Sequence, residues 1–275
     1  MRVLGPTDVS DFLALTGEDP VVNVFADYRA RTTNLDPRWL GGEVWGRYDG
    51  RRLVAACHVA ANLVPVQCTP EDAEIFAARA AASRRTASTI VGPVAAVDAF
   101  WARAVRDGWE QPREVRARQP HLEISQDPLV EPDPLVRPSR RGDLDALYPA
   151  CVAMYTEEVG VSPEYGGGAE LYRARVSQLI ARRWSFARYE DDRVLFKAEV
   201  ACASPFAAQV QGVYVVPDRR GEGLGTRGMA AVVAHVRAQV APTVSLYVND
   251  WNTPARAAYA RVGFTETARF TTIMF

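Results

Sequence analysis

An α/β protein of two halves is what this 275-residue sequence predicts, and three observations predict it. Runs with strand-like alternation and runs with helical spacing succeed one another along the chain, the pattern of layered α/β proteins. One junction is rich in glycine: the apolar run Val213-Tyr214-Val215-Val216-Pro217 leads into Arg219-Arg220-Gly221-Glu222-Gly223-Leu224-Gly225-Thr226, and a helical run follows. Finally, Pro128, Pro132, Pro134 and Pro138 lie among charges within residues 127–141, a stretch that stays extended and divides the chain. The expected boundaries are 1–126 for an N-terminal accessory domain, 127–134 for a proline-rich linker and 135–275 for the domain that carries the chemistry.

In the first half the pattern gives a helix near residues 7–15, a hairpin centred on Asp49-Gly50 and a strand at 53–60. Helices follow at 70–82 and 95–107, then a strand near 116–124. The second half opens with a short strand near 135 and a helix over 143–156. A Gly- and Pro-containing loop, 160–168, with the composition of a lid or a linker, precedes a helix over 169–182. Strands at 184–189 and 194–201 turn at Asp191-Asp192, and a third occupies 208–216. The helix after the glycine-rich junction is apolar at Leu224, Met229, Val232, Val236 and Val240. A strand at 244–248 follows, then a short helix opened by Thr253-Pro254, cap and first-turn proline, and stopped by Gly263. A last strand from Phe264 completes this half.

Composition bounds the function. With 48% hydrophobic and 24% charged residues the chain reads as soluble and globular. A net charge of −1 argues against a general nucleic-acid surface. No run approaches the roughly 18 apolar residues of a membrane span, and none has the form of a signal peptide, so a cytoplasmic protein is expected. Cys57, Cys68, Cys151 and Cys202, with His58, His121 and His235, show no metal-site spacing and read as reduced core residues.

Three glycines in eight residues between a strand and a helix let the backbone turn tightly and bring successive N–H groups onto one small anion. The helix start adds its own unpaired N–H groups and positive dipole end. A pyrophosphate suits such a turn. The spacing is not that of a Walker loop, because Thr226 and Arg227 follow Gly225 where lysine would be needed. Nor is it a dinucleotide fingerprint, since the glycines run G-x-G-x-G and no acidic residue ends the next strand. What remains is R-x-x-G-x-G at Arg220, Gly223 and Gly225.

This loop resembles the acetyl-CoA loop of the GNAT N-acetyltransferase superfamily. The later stretch from Asn252 through Ala255 and Tyr259 to Gly263-Phe264 resembles that family's second cofactor motif. The resemblance implies a mixed sheet with helices on both faces, the cofactor entering where two parallel strands splay apart. It implies acetyl-CoA as co-substrate, no metal, and acetyl transfer to an amine. The N–H groups of Gly221, Glu222, Gly223, Leu224, Gly225 and Thr226 would hold the pyrophosphate, with charge from Arg219 and Arg220. Val213, Tyr214 and Val215 would pair with the pantetheine arm, and Asn252 would add an amide contact. Tyr259 would protonate the leaving thiolate.

Gln209 stands where many relatives carry a glutamate base, so the base is open. Glu199 is the nearest replacement, either buried on an apolar strand with its pKa pushed up or facing solvent on an edge. A water chain needs no base at all. Glu157 and Glu158 would attract a cationic amine, or are simply a solvated helix end. The acceptor is a small-molecule amine or a protein lysine; neither nucleic acid nor membrane is expected as a partner, and a homodimer is compatible. The alternative is a silent acetyl-CoA-binding sensor. The N-terminal half also resembles the accessory domain of actinobacterial two-domain GNAT proteins, a degenerate copy of the fold; an unrelated α+β domain is the other reading. Val64-Pro65-Val66 would mark its loop junction, where Gln67-Cys68-Thr69-Pro70-Glu71-Asp72 offers no glycine.

Overall fold

In the computed structural model, which describes residues 1–82 and 85–275, strands and helices alternate, and the first half holds elements at Arg2–Leu4, Val24–Thr33, Pro37–Leu40 and Thr89–Pro93 that the residue pattern did not give. Strand β1 (Arg2–Leu4) precedes α1 (Val9–Thr16), α2 (Val24–Thr33) and a single turn, α3 (Pro37–Leu40). Then come β2 (Glu43–Asp49), β3 (Arg52–Val59), β4 (Asn62–Val66), α4 (Pro70–Ala81), β5 (Thr89–Pro93), α5 (Val94–Arg106) and β6 (Glu114–Ile124). The second half runs β7 (Val136–Pro138), α6 (Leu144–Val159), α7 (Ala169–Ala181), β8 (Ser185–Glu190), β9 (Arg193–Ala203) and β10 (Ala207–Val215). It ends with α8 (Leu224–Gln239), β11 (Thr243–Tyr247), α9 (Thr253–Val262) and β12 (Thr265–Met274).

The described residues form two compact units. One is Met1–Leu122 with Tyr247–Asn252 and Glu266–Phe275; the other is Glu123–Leu246 with Thr253–Thr265.

The first unit orders its strands β1-β2-β3-β4-β5-β12-β6. Alternation along β2 and β3 assigns their faces. Trp45, Ala55 and Cys57 pack with Phe76 and Phe100 of α4 and α5, whereas Val44 and Ala56 pack with Phe12, Leu15, Ala26 and Ala30 of α1 and α2. The order β2-β3-β4-α4-β5-α5-β6 repeats that of β8-β9-β10-α8-β11-α9-β12, so this half is a second copy of the fold. One expectation fails here. The last strand does not complete the second half: Phe270–Met274 pairs antiparallel with Thr89–Pro93 of β5. Alternation marks Thr265–Met274 as a strand but says nothing of which edge receives it.

In this copy the turn before α4 is sealed by its own side chains. β4 and β5 pair in parallel only at Asn62↔Thr89 and Leu63↔Ile90. Thr69 Oγ1 accepts from Asp72 N at 3.2 Å and Thr69 N donates to Asp72 Oδ2 at 3.1 Å, a reciprocal capping box. The buried Asp72 carboxylate is also ion-paired with Arg47. A carboxylate already sits at the positive end of α4, where an anion would have to bind.

Two buried histidines tie this unit's stability to pH. Burial pushes His58 and His121 from 6.5 down to about 4. His58 Nδ1 lies 3.2 Å from the Asn62 carbonyl, His121 stacks on Phe270 at 4.8 Å, and neither Nε2 has a hydrogen-bond partner among the described residues. Between pH 6.5 and 4 the unfolded chain therefore binds more protons than the folded one, and stability falls as pH falls. Urea melts across that window are expected to show a loss on the order of 3 kcal/mol per histidine, with His121→Phe removing its share.

The second unit orders its strands β11-β10-β9-β8-β7, with α6 and α7 on one face and α8 on the other. On the α6/α7 side Leu195 and Ala187 pack with Leu147, Cys151, Val176 and Ile180. Strands β7 to β10 are antiparallel to their neighbours, and β10 and β11 are parallel.

Candidate functional site

The parallel pair β10/β11 is joined only at Ala207↔Thr243, Ala208↔Val244 and Gln209↔Ser245. β10 continues to Val215, so from Val210 onward its edge on that side has no β11 partner. Val213, Tyr214 and Val215 lie on this free stretch. Between Gln211 and Tyr214 the register with β9 slips, and Gly212 takes φ +61 at the bulge.

Beyond β10, a 3-10 turn at Pro217–Arg219 leads to Gly221 at φ +87 and Gly223 at φ +81. Both are in the left-handed region, where a side chain is strained. A Cβ built at either would meet nothing within 4 Å, so the glycines border open space. Gly223 is the N-cap of α8, and Arg227 N bonds its carbonyl at 3.0 Å. The N–H groups of Leu224, Gly225 and Thr226 precede any i−4 carbonyl of the helix and are free for an anion. A Cβ-free turn, a run of unpaired N–H groups and a positive helix end fit a diphosphate.

Arg220 Nε donates to Val215 O at 3.0 Å and Nη2 to Glu157 Oε2 at 2.7 Å. The end of α6 thus stands beside the loop, and Glu157 meets a loop cation rather than standing free to meet an acceptor. Arg219 is tied to Glu222 at 2.8 Å and to Glu190 at 3.1 Å. These are exposed pairs, weakened by solvent screening, and they yield readily to a stronger anion.

Tyr259 is buried on α9 with its ring edge against Phe264 at 5.9 Å. Burial, and then the Glu158 carboxylate, push its phenol above the ordinary value of 10, so it stays protonated at any working pH. Glu158 is exposed at the end of α6, close enough to be felt by the phenol. Asn252 belongs to the first unit, in the turn that leads into α9. Its N–H bonds Asn249 O at 3.0 Å. Asn249 is itself held by Gln119 Nε2 at 2.9 Å, and Gln119 Oε1 accepts from Thr272 at 2.6 Å. This buried network, absent from the motif reading, fixes the turn from β6 and β12.

Glu199 is buried on β9, not on a solvent edge. The expectation of a raised pKa is corrected. Burial does push the carboxyl up, but Lys197, Gln211 and Arg175 outweigh it and hold it below the ordinary 4.5. Lys197 Nζ donates to Oε2 at 3.0 Å, Gln211 Nε2 to Oε1 at 2.9 Å, and Arg175 lies 3.7 Å from Oε1. Lys197 was missed in the sequence, although its i,i+2 spacing from Glu199 in an otherwise apolar strand places both on one face. Gln209, in the position usual for a base, is buried and pairs with Cys202 and Ser245.

Comparisons with known proteins bear on the family and the fold. Residues 184–264 match the Acetyltransferase (GNAT) family, and residues 42–147 match a domain of unknown function, DUF4081. A curated relative, "Mycothiol acetyltransferase" of Corynebacterium glutamicum, is 36% identical over 112 residues, which span 38% of this chain and 36% of the relative. An acetyltransferase from the GNAT family of Colwellia psychrerythraea superposes with TM-score 0.62 at 15% identity, covering 100% of this chain and 98% of its own. A tandem GNAT protein from the clavulanic acid biosynthesis pathway superposes with TM-score 0.58 at 17% identity, covering 99% and 97%. The structural likenesses, at these identities, concern the fold. With a matching family profile over the strands, loop and helices that build the site, residues 184–264 form a GNAT acetyltransferase domain.

Proposed function

We propose that the protein transfers an acetyl group from acetyl-CoA to a primary amine, with one active site per chain. The observation that carries this reading is the glycine turn at the start of α8, open on its outer side and placed at the end of a strand whose edge is free. Acetyl-CoA would supply an activated thioester. The N–H groups from Gly221 to Thr226 would hold its diphosphate, and Arg220 would exchange Glu157 for phosphate oxygen. The free edge of Val213-Tyr214-Val215 would align the pantetheine arm. A backbone N–H on that edge would stabilise the carbonyl oxygen as it gains charge, a role worth about 3 kcal/mol per donor.

Tyr259 would give its proton to the departing sulfur. Glu199, kept ionised, is a poor base of its own. Its role would be to stabilise the nitrogen as it becomes cationic during attack and to pass the proton to water. Glu158, beside Tyr259, and Glu157, once released by Arg220, would attract the ammonium form of the acceptor. The name of the Corynebacterium relative favours a small-molecule amine over a protein lysine.

Release of CoA thiol should be measured against amino acids, aminosugars, polyamines and a lysine peptide, with calorimetry for acetyl-CoA. Turnover on small amines and one equivalent of acetyl-CoA per chain are expected, because Asp72 closes the first unit's turn. Binding without turnover on any amine would leave a sensor. Two equivalents would refute the sealed first copy.

A further inference from the structure

We propose that Lys197 is a positioning residue for acetyl transfer: it fixes the Glu199 carboxylate against the Gly212 bulge of β10, beside the strand edge where the acyl donor would lie. This rests on the acetyl-transfer reading above and adds a residue that neither cofactor motif contains.

The geometry is specific. Lys197 has no exposed surface, and its ammonium lies 3.0 Å from Glu199 Oε2 with the Cys151 thiol beside it. A Cβ added at Gly212 would lie 3.1 Å from Glu199 Cδ and from Met154 Cε, and 3.2 Å from Lys197 Nζ. The bulge therefore lies against the ion pair, and a side chain at 212 would press on it by a few tenths of an ångström. Gln211, the neighbour of Gly212 on β10, takes the other carboxylate oxygen. The pair and the irregular backbone at the head of the free edge form one assembly.

Stability does not account for the pair. Removing two charges from water is costly, and well-packed apolar residues in their place are often as stable or more so. The groups that face Glu199 are Lys197 on β9, Gln211 on β10, Arg175 and Tyr172 on α7 and Cys151 on α6, with uncharged Ser185 opposite it on β8. Of the two cations, only Lys197 is wholly buried; the Arg175 side chain is half exposed. Without Lys197 the carboxylate keeps one distant, solvated cation and its full desolvation. It then takes up a proton at higher pH.

The test is the pH profile of kcat/KM for the acceptor in wild type, Lys197→Met, Lys197→Arg and Lys197→Met/Glu199→Gln, with acetyl-CoA affinity and thermal midpoint measured for each. In Lys197→Met the acid limb should move up by at least about one unit, so that the loss is about tenfold greater on that limb than on the plateau above it. Acetyl-CoA affinity should stay within about twofold. Lys197→Arg should restore most of the profile. The double variant, neutral at both positions, folds without a stranded charge and should lose the acid limb altogether. Should Lys197→Met fail to fold, the double variant's retained limb would overturn the proposal, and a limb lost there but restored in Lys197→Arg would support it. A loss in Lys197→Met equal at every pH, or an unmoved limb, would overturn the role of Lys197 while wild-type turnover stands. A wild-type chain that binds acetyl-CoA but acetylates no amine overturns the transfer reading itself, and this role with it.

Discussion

Tyr259→Phe is expected to lower kcat by about 100-fold or more while acetyl-CoA affinity changes by less than about threefold. The substitution removes one oxygen from a buried ring and leaves its packing on Phe264 intact. A loss of folding is therefore not expected, and the thermal midpoint should stay within a few degrees. If the hydroxyl supplies the proton for the departing sulfur, its loss acts on the chemical step and not on binding. Because burial and Glu158 hold the phenol protonated well past neutrality, wild-type kcat should show no fall from this group up to pH 9. Steady-state kinetics with single-turnover controls reads both effects. Unchanged turnover in the phenylalanine variant would make Tyr259 a packing residue only.

Gly223→Val is expected to weaken acetyl-CoA binding by about 100-fold, measured by calorimetry. Two costs act together at this position. At φ +81 a β-branched residue is strained by roughly 1–3 kcal/mol, and the turn will rotate to relieve it. Rotation turns the N–H groups at the head of α8 away from their common focus. If the turn does not rotate, the new methyl groups project into the open space beside the loop, where the diphosphate would approach. Either response removes binding without touching Lys197, Glu199 or Tyr259. Residual turnover at saturating acetyl-CoA should therefore stay within about threefold of wild type. An unaltered affinity would exclude this turn as the diphosphate site.

How much of this was legible before folding depends on the range of the cause. The loop could be read because its cause is local: glycine at 221 and 223 is demanded by backbone angles at those residues, and the helix that follows starts at the next one. The short helix α9 was legible from Thr253-Pro254 and Gly263 for the same reason. Tyr259 could be located but not interpreted, since a buried aromatic at helical spacing looks alike in a core and in a site. Glu199 was found, yet its charge state was misjudged. Burial alone would raise it, and the sequence does not show that Gln211 and Arg175 come to its two oxygens along with Lys197.

By itself, the sequence determined most strands and helices of the second half, that the backbone before α8 must turn tightly, and that a diphosphate-sized anion suits the head of α8; β1, α2 and β5 were not legible in it. Periodicity and turn chemistry are properties of neighbouring residues, so folding does not change them. Only the tertiary structure decided that β12 pairs with β5, that Asp72 closes the first copy's turn with Arg47, and that Gly212 bulges over the Lys197–Glu199 pair. Strand pairing and ion pairing join residues far apart in the chain, and alternation along one strand is equally satisfied by many partners. The choice among them is made by packing, which exists only once the chain has folded.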